Sequence, residues 1–213
     1  LTRNAIVKPI IVTPKSPRQI KNVKTVINKN LKKTMFKIPT NEKESLNAYS
    51  TIMRDFSNTK KSKEELIIIL NKLKLQVIQK YDSNEDTGSM SIIRTQKTLP
   101  GTRYFHAQYF GDDQGQTLQH LSFELKPGPN AMEAAKSALI KKFSLSQKPT
   151  MDKKGFTSWH QSSGYTLSIK QLTSEDLKDD LFNAYVASDI GTIRVSMELE
   201  IHGQYEGHQE KHQ

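Results

Sequence analysis

Two histidines and a carboxylate, His106, His120 and Glu124, are the side chains whose types and spacing come nearest to a reactive centre in this chain. Phe105, Ala107 and Tyr109 alternate with His106 and Gln108, and Leu121, Phe123 and Leu125 alternate with Ser122 and Glu124. The Gly111–Gly115 stretch between the two runs supplies a turn, so together they read as a β-hairpin. With Phe110 opposite Thr117, His106 falls opposite Leu121. Leu118 is out of phase with Leu121, which predicts a bulge near Gln119–His120 that brings His120 level with His106. Two imidazoles and a carboxylate are a ligand set for a divalent metal, or an acid–base set for hydrolysis. The plainer reading is two surface histidines on the wet face of a sheet, and it is preferred because it requires no special arrangement.

Other clusters have simple explanations. The run Asp82-Ser83-Asn84-Glu85-Asp86-Thr87-Gly88 begins like a calcium loop. Its glycine comes one residue late, however, and Ile93 stands where the closing glutamate belongs, so it reads as a polar helix-to-strand loop. Asp112 and Asp113 sit in the glycine-flanked turn, where Asp is favoured for local hydrogen bonds. Asp176, Asp179 and Asp180 fall in the first turns of a helix, where acid complements the dipole. Glu198 and Glu200 share the wet side of the last strand. Trp159, the only tryptophan, lies beside His160 and near Tyr165, and core is the expectation for it. His202, His208 and His212 belong to a polar tail. The absence of cysteine excludes disulfides, thiolate metal sites and cysteine nucleophiles. No phosphate-binding loop, nucleophile elbow, zinc-protease helix or dinucleotide fingerprint is present. No cofactor is therefore expected, and the balance leans away from an enzyme.

The elements that would position these residues follow from periodicity. A helix fits Asn41–Phe56, with Leu46, Tyr49, Met53 and Phe56 on one face. A second starts at Ser62, where Ser62 and Glu65 make a capping box, and carries Leu66, Ile69, Leu70, Leu73, Val77 and Tyr81. After the hairpin, Pro127-Gly128-Pro129 ends the strand, and Asn130 with Glu133 opens a helix with Met132, Ala135, Leu139 and Phe143. A short strand follows at Phe156–His160, then one with Tyr165, Leu167 and Ile169 facing one side. A helix from Thr173-Ser174 carries Leu177, Leu181 and Tyr185. The last strand alternates most clearly, with Ile193, Val195, Met197, Leu199 and Ile201 against Arg194, Ser196, Glu198 and Glu200. The expected fold class is α+β: an antiparallel sheet of about five strands, ordered β-β-α-β-β-α-β, with helices on one face. The two strand–strand–helix units share architecture but no side-chain match. The divisions are a basic arm over 1–40, a helical segment over 41–89, the α+β body over 90–203 and a polar tail over 204–213.

Charge separates the arm from the rest. Ten of its residues are basic and none is acidic, while the other 173 residues carry 22 basic and 22 acidic side chains. Ile6, Val7, Ile10, Ile11 and Val12, interrupted by Pro9, suggest an extended peptide or edge strand. Ser16-Pro17 then reads as a helix start. Ile20, Val23, Ile27, Leu31 and Met35 form an apolar stripe, with Arg18, Lys21, Lys24, Lys29, Lys32 and Lys33 around it. The partner-binding residues expected are Arg18, Lys21, Lys24, Ile27, Lys29, Leu31, Lys32 and Lys33. A protein or complex with an acidic surface or apolar groove is the favoured partner; nucleic acid and an anionic membrane surface are rivals. Phe36 is the arm's one aromatic, which argues against base stacking. The longest apolar run, Leu66–Leu70, is far short of the ~18 residues of a membrane span. The first residue is Leu rather than Met, and a removed export leader is the expectation, with a periplasmic or secreted location in a bacterium.

Overall fold

A computed structural model describes residues 37–58, 61–84, 88–112, 115–145, 148–152, 154–178 and 185–200. The arm residues Arg18, Lys21, Lys24, Ile27, Lys29, Leu31, Lys32 and Lys33 lie outside these ranges. So do Glu85, Asp86, Asp113, Asp179, Asp180, Leu181 and the tail histidines.

The described chain is α+β, built on one antiparallel sheet of eight strands rather than five. Helices α1 (Glu42–Asn58) and α2 (Lys63–Lys72) come first, followed by β1 (Val77–Asn84), β2 (Gly88–Thr95), β3 (Thr102–Asp112) and β4 (Gly115–Leu125) as a meander. Helix α3 (Ala131–Phe143) leads to a second meander, β5 (Thr150–Met151), β6 (Thr157–His160) and β7 (Tyr165–Gln171). A short helix α4 (Ser174–Lys178) and a 3-10 turn (Ala187–Asp189) precede β8 (Ile193–Leu199). The strand order is β1-β2-β3-β4-β8-β7-β6-β5. The last strand therefore slots between the two meanders and pairs along both edges. That position explains why its alternation is the strictest in the sequence: one side must fit a core, the other a polar face, and neither edge is left free.

One face of the sheet carries the core. Phe105, Ala107, Tyr109, Leu121, Phe123, Leu167, Ile169, Val195 and Met197 are fully buried there. Leu46, Tyr49, Ile52, Met53 and Phe56 of α1 supply the apposed layer, and the Tyr49 ring lies 5.1 Å from both Phe105 and Phe123. Helix α3 adds Ala135 and Leu139. Trp159 is buried, as expected of a core tryptophan.

The capping box forms as read: the Glu65 amide donates to Ser62 Oγ (3.3 Å) and the Ser62 amide to Glu65 Oε2 (3.0 Å). Ser62→Ala is expected to lower stability by about 1 kcal/mol, seen as a shift in the urea midpoint, with little further loss when Glu65→Ala is added. The expected box at Asn130 and Glu133 does not form. Asn130 sits at φ 61°, the left-handed region, and its side chain makes no cap bond.

Three strands run against expectation. Helix α2 stops at Lys72, and Lys74 takes φ 59°, so Val77 and Tyr81 belong to β1 instead of the helical stripe. Their four-residue spacing mimics a helix face, yet from Ile78 to Tyr81 every residue is exposed, as suits a strand at the sheet edge. The segment 41–89, expected to be helical, thus ends in a strand, and the polar run from Asp82 joins two strands rather than a helix and a strand. In β2 the core side is Ser89, Ser91 and Ile93, too polar to register as alternation. β5 is only two residues long.

Candidate functional site

The face of the sheet away from α1 is organised in rows by the strand register. Arg94, His106, Ser122, Ser196 and Ser168 are successive partners on β2, β3, β4, β8 and β7. The row on one side of it contains Tyr104, Glu124, Arg194 and Lys170, and the row on the other contains Gln108, His120, Glu198 and Thr166. Serines between rows of long side chains leave a trough, and a cleft of about 620 Å³ lies there, with Phe156 and Tyr185 also on its wall.

Two bulges set the outer geometry. The expected one is present: Gln108 pairs with His120 but Tyr109 with Leu118, leaving Gln119 as the extra residue. Tyr165 donates its hydroxyl to the Leu118 carbonyl at this point (2.9 Å). His106 pairs with Ser122, not Leu121, yet the His106 and His120 rings are 5.5 Å apart. The second bulge, at Arg103, is a register shift between Thr102 and Tyr104 that puts Arg103 and Tyr104 on the same cleft. Bulges commonly re-aim side chains in this way beside functional sites.

The His106–His120–Glu124 constellation is only partly assembled. Glu124 is 4% exposed rather than on a wet surface, and it is turned to other partners. Arg103 Nη1 is 3.7 Å and Arg194 Nε 3.5 Å from its carboxylate, and Tyr185 donates its hydroxyl to Glu124 Oε1. Arg194, expected to be exposed, is half-buried for that reason; it also donates to the Tyr185 oxygen. The two guanidiniums lie 5.5 and 5.3 Å from the Tyr185 ring centroid, in cation–π range. Burial, with Glu124 adding, pushes the Tyr185 phenol up to about 12, so it keeps its proton. Arg103 Nη2 reaches a second carboxylate, Asp189, at 3.2 Å.

His120 turns instead to Glu198, with Nδ1 3.3 Å from Oε1, and its imidazole holds the Glu198 carboxyl below the usual range. Burial, then the neighbouring His120 and Arg94, pushes His106 down to about 4, so its ring is neutral at pH 7. Its Nε2 is buried without a hydrogen-bond partner. Among the described residues, no three His, Asp or Glu side chains are arranged to hold a metal ion.

Arg94, Arg103, Tyr104, Tyr185 and Arg194 are the cleft residues that sequence reasoning did not single out. Arg194 carried a signal, its place in the alternation of β8. Tyr185 was expected on a helical stripe with Leu177 and Leu181; it lies beyond α4, outside any helix or strand, just before the 3-10 turn. Outside the cleft lining, Glu200 and His160 join through His160 Nδ1 and Glu200 Oε1 at 2.6 Å.

The class that these observations define is an α+β protein with one eight-stranded antiparallel sheet, α1 packed on one face of it and a polar cleft on the other. Comparison with protein-family models, with characterised proteins and with solved structures gives no match. Among the described residues, no helix is long and apolar enough to cross a membrane.

Proposed function

We propose that this is a non-enzymatic binding or assembly protein whose basic amphipathic arm, residues 1–40, docks on a larger partner with an acidic surface or an apolar groove. The observation that carries this reading is the segregation of charge: ten cations without one anion in the arm, and a balanced remainder. Such a segment repels itself, and salt or an acidic partner relieves the repulsion. The stripe Ile20, Val23, Ile27, Leu31 and Met35 favours a partner that also buries apolar surface, hence a protein groove over duplex nucleic acid. Lys21, Lys24, Lys29, Lys32 and Lys33, with Arg18, would then pair with acidic residues at the groove's rim. An exported bacterial setting fits the reading. The body, whose described core runs from Leu46 to Met197, would act as a platform that folds without the arm.

The test compares Ile27→Ala/Leu31→Ala with Lys29→Ala/Lys32→Ala. In capture from native lysate, the apolar pair is expected to weaken binding by about 1–2 kcal/mol per truncated side chain. Removal of residues 1–40 should abolish capture and leave the circular dichroism of the body and its cooperative unfolding in place. If the lysine pair abolishes capture and the apolar pair does not, nucleic acid replaces the groove. Contact with ~6 phosphates would then show as a log–log salt slope near −5 on a duplex. An unfolded product after arm removal would overturn the division into arm and platform.

A further inference from the structure

We propose that the cleft on the open face of the sheet binds a small organic oxyanion, a carboxylate or a phosphate ester, with its charged group at Arg94 and His106 and its carbon skeleton over Ser122 and Ser196. This inference is independent of the arm and rests on what the cleft has left unpaired.

The carboxylates of the cleft are already matched. Glu124 has Arg103, Arg194 and Tyr185, and Glu198 has His120. The unmatched groups are of the opposite kind. Arg94 has no carboxylate partner among the described residues. His106 Nε2 is buried without a hydrogen bond, and it donates in its Nε2–H tautomer. Ser122 and Ser196 are 5% and 4% exposed, line the cleft, and have no hydrogen-bond partner for their hydroxyls among the described residues. Buried polar atoms are normally paired, so the orphaned His106 Nε2, with the Arg94 guanidinium and the Ser122 and Ser196 hydroxyls on the same cleft, calls for a ligand that supplies acceptors.

Charge decides which acceptor. Arg103 is shared between Glu124 and Asp189 and Arg194 is held by Glu124, which leaves Arg94 as the cleft guanidinium with no carboxylate partner among the described residues, so an anion gains at Arg94 where a metal cation would meet repulsion from Arg94 and Arg194. Arginine also offers the planar pair of donors that fits carboxylate and phosphate oxygens. Size argues for more than a bare ion. At about 620 Å³ the cleft lies in the ~300–1,000 Å³ range of small-molecule sites. Tyr104 and Phe156 on its wall give the carbon skeleton an aromatic surface. The Tyr104 ring is 5.9 Å from that of His106, next to the position assigned to the charged group.

The arm's cations also attract anions, so the readout must be local to the cleft. In the full chain, histidine ring-proton NMR signals are followed during titration with phenyl phosphate, benzoate and inorganic phosphate at matched ionic strength, and His106 is assigned from the His106→Gln spectrum. Phenyl phosphate or benzoate is expected to move the His106 signal saturably, with a Kd at least about tenfold below that of inorganic phosphate, and the tighter of the two identifies the charged group. Arg94→Gln, on an exposed position of β2, should weaken that binding by about tenfold or more, the loss of one charge-assisted pair, with the melting temperature unchanged. A His106 signal that none of the three anions moves, or an Arg94→Gln curve that overlays the wild type, would overturn the proposal. So would phenylguanidinium moving the signal where phenyl phosphate and benzoate do not.

Discussion

Met197→Asp is expected to cost about 4 kcal/mol or more, a large share of the ~5–15 kcal/mol that holds a domain together. Met197 is fully buried at the centre of β8, between Leu121 on β4 and Leu167 on β7, both also fully buried. A carboxylate there has no cation within the core and loses its hydration without compensation, so the chain either protonates it or unfolds. One residue along the same strand the result reverses. Glu198 points to the other face with its side chain 65% exposed, and its pairing with His120 is the kind that contributes well under 1 kcal/mol. Glu198→Lys should therefore shift the urea midpoint by no more than about half a kcal/mol. Two equally mild midpoints would mean that β8 is shifted by one residue, since such a slip exchanges its two faces.

That contrast could be read from the sequence because both neighbours of β8 demand the same alternation. The strands with apolar residues on every second position, β3, β4, β7 and β8, were all legible, and so was the bulge at Gln119, because Leu118 and Leu121 must both reach the core. Where the core side is built of serines, as in β2, or where both faces are wet, as in β1, the period-two signal vanishes although the backbone pairing is regular. The site was legible only in part. His106 and His120 could be placed from the hairpin alone. The burial of Glu124 could not, because Tyr185 comes from 61 residues further along and Arg103 reaches the cleft by a bulge that no apolar pair marks. Local patterns identify which face a residue is on; what then covers that face is decided by chain that arrives from elsewhere.

Glu124 is where that later chain carries most of its energetic weight. Removing one partner of a buried ion pair typically costs ~3–5 kcal/mol, because the other charge stays behind unpaired. Here the Glu124 side chain is buried, but that of Arg194 is 37% exposed and partly solvated, so Arg194→Met is expected to cost about 2–3 kcal/mol. It strips the carboxylate of its Nε partner and takes away the donor to the Tyr185 oxygen. Glu124→Leu should cost a similar amount, since it leaves two guanidiniums facing one buried apolar side chain. The double variant is the informative one. With Glu124 and Arg194 both gone, Arg103 retains Asp189 at 3.2 Å, and Tyr185 still has the Arg103 guanidinium against its ring, so no buried charge is left without a partner. The combined loss in urea denaturation should then fall short of the two single losses added together by about 1–3 kcal/mol, the size of coupling seen between contacting charges. The shortfall should change little between low and high salt, because a pair at this depth is poorly screened. Strict additivity at both salt concentrations would show that Glu124 and Arg194 are independent, and the cleft would lose the charged floor on which its geometry depends.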